Sequence, residues 1–177
     1  YGVANRTGSA YAYSADYKYV LYMDSDLTQD PKYIYDFLRF MNKDIDLIKA
    51  TRYSPGGGTD GVKFQRKIIS LGGNFLAKIF MNLPITDYTN GFRAIKTKLL
   101  KDIEFEENNF AYLIEEVKKV SKLAKTYAEV PYTLKVREDS HSKSKFIYST
   151  SVYFSYLKWL FKGWKINSNK IRNVDFA

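Results

Sequence analysis

Apolar residues along this chain keep switching between a period of two and a helical period, and the switches mark its elements. Residues 19–23, Tyr-Val-Leu-Tyr-Met, form a short run of aromatic and β-branched side chains, which predicts a buried strand. Residues 45–50 predict a second strand, and Phe92 to Lys96 a short third one. Residues 126–136 predict a fourth, interrupted at Pro131 and therefore expected to be an edge or irregular strand. Between these runs the spacing turns helical. Ile34, Phe37, Leu38 and Met41 recur at i, i+3, i+4 and i+7, an amphipathic helix over 32–42. Asp30 followed by Pro31 supplies its N-cap and first helical position. Phe110, Leu113, Ile114 and Val117 predict a helix over 110–124, and 97–103 a short one.

Two further helices carry less ordinary patterns. Ala4, Gly8, Ala12 and Ala15 give the first helix, over 4–15, a face small enough to pack closely on a sheet. The long helix 64–82 has two stripes. Ile68, Ile69, Phe75, Leu76, Ile79 and Phe80 supply its apolar side, while Arg66, Ser70, Gly73, Asn74 and Ala77 form a polar, small-residue stripe. Leu83-Pro84 ends it. Thr51-Arg52-Tyr53-Ser54-Pro55-Gly56-Gly57-Gly58 is a strongly marked loop, and Asp87-Tyr88-Thr89-Asn90-Gly91 a turn. Strands alternating with helices predict an α/β domain.

The last third changes character. Residues 137–145 are polar and basic. In 146–165, Ser151, Ser155, Lys158, Lys162 and Lys165 share one helical stripe, and aromatic and aliphatic residues fill the other sides. A core helix or a subunit contact accounts for such a segment, but the one-sided lysines favour a helix lying in a membrane interface. Residues 166–177 form a polar tail.

Composition narrows the chemistry. The chain has 177 residues and 45% hydrophobic content, enough for one domain with a substantial core. Its net charge of +9 suits an anionic partner. Cysteine is absent, which excludes disulfides, thiol nucleophiles and Cys-based zinc sites. The single histidine, His141, excludes a multi-His metal centre. No apolar run reaches the roughly 20 residues a transmembrane helix requires. A basic, aromatic-rich chain also suits a nucleic-acid-binding module, but the most organised motif is acidic and no RNP-like or helix-turn-helix signature occurs, so no nucleic acid is expected.

That motif is Asp24-Ser25-Asp26, placed where the strand 19–23 ends. In an extended backbone, residues i and i+2 point to one side. Ligands of open α/β sheets bind at the carboxyl ends of strands. Two hard oxygen donors there suit Mg²⁺ or Mn²⁺ shared with substrate phosphates. The competing reading is a plain turn and helix cap, a role that Asp30 already fills.

Taken in order, these residues resemble glycosyltransferase family 2, and within it the polyprenyl-phosphate sugar synthases of the dolichyl-phosphate mannose synthase type. Met23-Asp24-Ser25-Asp26-Leu27 resembles the family's Asp-x-Asp motif, and Thr51-Arg52-Tyr53 with its glycines the "SRY…GG" loop. Arg66 and Ser70 recur four apart on a helix. Leu83 to Ala94 resembles "LP…D.TSGFRA", Glu129-Val130-Pro131 an "EVP" strand, and Ser142 to Phe146 a "G.SK" loop. Asn90 stands where the family usually has Ser, and the 137–142 loop lacks the usual glycine. The resemblance implies that residues 1–145 are the C-terminal two-thirds of a nucleotide-sugar-binding GT-A (Rossmann-like) domain, the family's "P.YNE"-like strand falling before Tyr1. A non-catalytic fragment is the alternative this leaves open.

The resemblance further implies an inverting transfer from a nucleotide-sugar to a polyprenyl phosphate at the cytoplasmic face of a membrane. Asp24 and Asp26 would hold the metal, with Asp26, Asp87 and Arg66 catalytic. Arg52, Arg66, Ser70, Asn90, Arg137 and Lys145 would bind substrate, with Lys143 beside them. Arg93 reads either as a phosphate ligand or as a brace on the Asp87 turn.

Overall fold

The computed structural model describes residues 1–136, 150–162 and 172–173, and side chains throughout these except at 150–153 and 172–173. Its strands are β1 (Tyr19–Tyr22), β2 (Leu47–Thr51), β3 (Gly58–Thr59), β4 (Arg93–Lys96), β5 (Thr126–Pro131), β6 (Thr133–Leu134) and β7 (Arg172–Asn173). Five of them make one mixed sheet in the order β1-β4-β2-β5-β7, and β3 pairs with β6 beside it. β2, β5 and β7 run parallel, whereas β4 runs antiparallel to both its neighbours. The Asp87–Gly91 turn therefore meets the sheet at the edge where β1, β2 and β5 end.

Among the described residues five helices cover this sheet: α1 (Gly2–Ser14), α2 (Ile34–Asn42), α3 (Phe64–Met81), α4 (Tyr112–Val120) and α5 (Thr150–Phe161). A 3-10 turn, Pro31–Tyr33, leads into α2, and Asp30 caps it by accepting from the Lys32 amide at 3.0 Å, as the sequence predicts. Alternation along each strand splits the core into two layers. Leu47, Ile95 and Tyr127 face Ala77, Met81, Ile114, Val117 and Trp159. Ile48, Ala94, Ala128 and Val130 face Phe37, Phe40 and Phe92. The rings of Phe37 and Phe92 lie 4.7 Å apart and are fully buried, each contributing about 2–3 kcal/mol of burial.

Four expectations change. The break at Pro131 is observed, since β5 ends there and β6 follows in the other sheet, but β5 is interior, between β2 and β7, and the next amide, Tyr132, still donates to the Thr51 carbonyl at 3.0 Å. α1 buries Gly2, Ser9 and Ala12 rather than the Ala4–Gly8 row; both of those are exposed. Of 97–103, only a 3-10 turn at Thr97–Leu99 is helical. α3 keeps its predicted span but turns its apolar side outward. Its buried residues are Asn74, Ala77 and Met81, while Phe64 is 74% and Phe75 66% exposed.

α5 docks through Trp159 and Leu160, both buried. Its Lys158 reaches Glu107 at 3.2 Å, and Lys162, just past its end, reaches Glu106 at 2.6 Å. Lys118 on α4 donates to the carbonyls of Trp159 and Leu160, tying the two helices together. Phe154 and Phe161 remain exposed. No described helix is long and apolar enough to cross a membrane.

Candidate functional site

The strand ends gather the candidate residues at one edge of the sheet. Beyond β1 the chain turns sharply, and the turn is held by its own side chains. Gln29, almost fully buried, donates to Asp24 Oδ2 at 3.0 Å and accepts from the Asp24 amide at 2.8 Å. Asp26 Oδ1 accepts from the Thr28 hydroxyl at 2.7 Å and the Thr28 amide at 3.2 Å, an Asx-type turn. Leu27 between them takes a left-handed φ of 62°. Asp24 is exposed and Asp26 half-buried. Sequence reasoning missed Gln29; a lone glutamine in a polar turn carries no periodic signal.

Behind β2, Arg52 folds back instead of reaching outward. Its Nε donates to Asp87 Oδ2 at 2.7 Å and its Nη2 to Asp87 Oδ1 at 2.9 Å, a bidentate fork. Asp87 is fully buried and Arg52 nearly so. Burial pulls the guanidinium pKa down, but the Asp87 carboxylate outweighs it and leaves it raised. The same Nη2 reaches Thr89 Oγ1 at 3.1 Å. Gly57 permits this folding, since a Cβ there would lie 2.6 Å from the Thr51 carbonyl oxygen. Arg93 forms a buried ion pair with Glu116 on α4, Nη2 2.8 Å from Oε1, and its Nη1 donates to the carbonyl of Gly91, the last residue of the Asp87 turn, at 2.6 Å. Arg93 and Glu116 lie 23 residues apart in sequence. Arg52 is the ion-pair partner of Asp87, and Arg93 braces the end of the turn.

α3 supports the turn from the other side with its polar, small-residue stripe. Asn74 Oδ1 accepts from the Tyr88 amide at 2.6 Å and the Thr89 amide at 3.3 Å. Its Nδ2 donates to Thr89 Oγ1 at 3.1 Å. Ser70, one turn earlier, accepts from the Tyr53 hydroxyl at 2.7 Å. Arg66, one turn earlier again, is exposed. On β5, Glu129 accepts from the Thr86 amide at 2.6 Å, and burial raises its pKa against the hydrogen bonds it accepts. Asn90 is buried; its Nδ2 donates to the Ala50 carbonyl at 2.9 Å and its Oδ1 accepts from the Phe92 amide at 3.0 Å.

The turn thus closes on the acidic pair. A Cβ built on Gly91 would lie 3.8 Å from Asp24 Oδ2. Hydrogen bonds link Arg52, Asp87, Thr89, Asn74 and Ser70 in one frame; Asn90 is anchored separately to Ala50 on β2, Asp24 lies beside the turn, and Arg66 is on the same α3 stripe. Arg137, Lys143 and Lys145 lie outside the described residues. Among the described residues no three His, Cys, Asp or Glu side chains come together as a metal cage. The donor set of Asp24 and Asp26, two hard carboxylates, fits a divalent cation that completes its shell with phosphate oxygens and water.

The family model of glycosyl transferase family 2 matches residues 1–104. An undecaprenyl-phosphate mannosyltransferase of Micrococcus luteus is 28% identical over 145 residues, covering 80% of this chain and 59% of the relative. A dolichol-phosphate mannosyltransferase of Pyrococcus furiosus is 29% identical over 157 residues, covering 88% of this chain and 43% of the relative. The chain spans about half the length of these curated relatives. Glucosyl-3-phosphoglycerate synthase of Mycobacterium tuberculosis, solved with Mn²⁺ and UDP-glucose, shares the fold with a TM-score of 0.54 at 17% identity, covering 90% of this chain and 53% of that one.

Proposed function

The chain belongs to glycosyl transferase family 2, and on that premise we propose that it serves transfer of a sugar from a nucleotide-sugar to a polyprenyl phosphate at the cytoplasmic face of a membrane. The observation that carries this reading is the reversed α3. Its inner stripe, Ser70 and Asn74, supports the turn beside Asp24, while its outer face carries Phe64, Ile68, Leu71, Phe75 and Ile79, all exposed. An exposed apolar stripe of that length marks an interaction surface. A lipid acceptor needs its phosphate held close to a polar site while its chain stays among apolar groups, and α3 offers both on one helix. Exposed Phe154 and Phe161 extend the same reading to α5; residues 146–149 and 163–165 lie outside the described residues.

In this proposal Asp24 and Asp26 hold Mg²⁺ or Mn²⁺, which when bound supplies positive charge against the departing diphosphate. Arg66 and Ser70 orient the acceptor phosphate; a guanidinium matches phosphate geometry. That phosphate is nucleophilic at neutral pH, so positioning matters more than a general base. Asp87, locked to Arg52, fixes the start of the turn, and the same Arg52 Nη2 reaches Thr89 Oγ1. The displacement is a single in-line step with inversion. Arg137 and Lys145 stay candidates for the acceptor side.

The test is transfer from UDP- and GDP-sugars to polyprenyl phosphate in vesicles, with and without Mn²⁺, by the natural protein. Metal-dependent transfer is expected. Asp26→Asn should lower it by about 10²-fold or more without changing the folded state, since the carboxylate stands at a strand end and not in the core. Near-normal turnover in Asp26→Asn would overturn the site assignment.

A further inference from the structure

Beneath the site lies a buried cation that the proposed chemistry does not use. Lys49 is the third residue of β2 and has no exposed surface. It sits in a row across the sheet, paired with Arg93 on β4 and with Glu129 on β5, while Arg93 pairs onward with Tyr22 on β1. Each neighbour has a partner of its own: Arg93 has Glu116 and Glu129 has the Thr86 amide and hydroxyl. Among the described residues the Lys49 ammonium, which carries three donors, makes one hydrogen bond, to the Asn90 carbonyl at 2.5 Å. Leaving an ammonium in the core with one neutral acceptor is costly unless the arrangement is used.

What that bond holds is the turn beside the acidic pair. Asn90 is the residue before Gly91, which packs against the Tyr1 hydroxyl, 2.7 Å from where a Cβ would stand, and lies within van der Waals reach of Asp24 Oδ2 at 3.8 Å. The Asn90 side chain is already fixed to β2 through the Ala50 carbonyl, so Lys49 fastens the main chain of the same residue to the same strand. We propose that Lys49 is a positioning residue: its ammonium holds the Asn90–Gly91 peptide at the depth that lets Asp24 and the turn form one edge of the site. The proposal deepens the reading of that edge as the metal–diphosphate half of a glycosyl-transfer site.

A lysine so placed also makes the turn sensitive to protons near neutrality. Burial lowers the Lys49 pKa, and the positive charges of Arg93 and Arg52 lower it further. Asp87 and Glu116 act in the opposite sense, and the group settles at about 7. Glu129, next to it in the row, is itself shifted upward. As pH rises through that value the ammonium becomes an amine, the Asn90 carbonyl loses a charged donor, and the turn is held less firmly. Lowering the pH restores it.

The experiment is an NMR titration of the protein labelled with ¹⁵N and ¹³C, following the Lys49 Nζ group together with the Asn90 carbonyl and the Gly91 and Phe92 amides. A shared midpoint near 7 in all four signals is expected. Lys49→Met should abolish the titration of the turn signals and speed amide exchange at Gly91 and Phe92 about tenfold, with the spectrum of α4 unchanged. Turn signals that titrate alike in Lys49→Met, or a Lys49 that titrates as an ordinary exposed lysine without moving Asn90, would overturn the proposal. The wild-type titration decides the point even if the variant does not fold. None of these readings requires turnover, so their failure leaves glycosyl transfer standing, and a lack of transfer leaves Lys49 open to its own test.

Discussion

Two amphipathic helices of this chain obey opposite rules. α4 buries eight of its nine residues, including Glu115, Glu116 and Lys118, and each of these charged groups has a partner. α3 is twice as long and buries three residues, one of them Asn74. α4 is ordinary protein interior, and its polar groups are there because Arg93, the Glu106 and Glu107 amides and the end of α5 need them. α3 is reversed: its polar stripe has work inside, at Tyr53, Tyr88 and Thr89, and its apolar stripe is left facing out. An amphipathic pattern announces a helix, but which face turns inward depends on whether the polar face has buried partners. Where it has, the exposed apolar face needs a partner of its own.

Breaking a charge on the α4 side should have the largest effect. Arg93→Met leaves Glu116 buried without its partner and should cost about 3–5 kcal/mol, read as a lowered denaturation midpoint. On the inner face of α3, Asn74→Ala strips the Tyr88 and Thr89 amides of their acceptor. A loss of about 1–3 kcal/mol is expected in the same measurement. On its outer face, Phe75→Ser should leave stability within about 0.5 kcal/mol, because the ring is already in water. A large destabilisation there would mean that α3 packs inward after all. The smallest effect belongs to α5. Charge reversal of Lys158 should weaken liposome co-sedimentation less than Phe75→Ser does, since Lys158 already faces Glu107.

The contrast also explains what the sequence could tell. The spans of β1, α2 and α3, the Asp30 cap and the strand-end position of Asp24-Ser25-Asp26 all rest on local spacing, and local spacing survives folding. The facing of α3 was not legible, because both its stripes are coherent and only the partners of Asn74 and Ser70 decide between them. Arg52 with Asp87, 35 residues apart, and Arg93 with Glu116 are pairings that local pattern cannot rank. Both arginines stood as candidates for phosphate, and both turned out to be held by buried carboxylates. Lys49 did leave a trace: one lysine inside an apolar strand run, where a solvated charge has no room. The break at Pro131 was legible, since β5 ends there, but the proline could not show whether the strand lay at the edge of the sheet or inside it. The order of family motifs reached further than any of these signals, since it ties distant segments to one site.

The most direct test of the account compares two acceptors for one sugar transfer: a long-chain polyprenyl phosphate embedded in vesicles and a short-chain, water-soluble polyprenyl phosphate. The natural protein carrying Ile68→Ser and Phe75→Ser should lose most transfer to the embedded acceptor while keeping transfer to the soluble one, because Asp24, Asp26, Arg66 and Ser70 are untouched. Equal transfer to the embedded acceptor by variant and wild type would contradict the claim that the reversed face of α3 brings the lipid phosphate to the site.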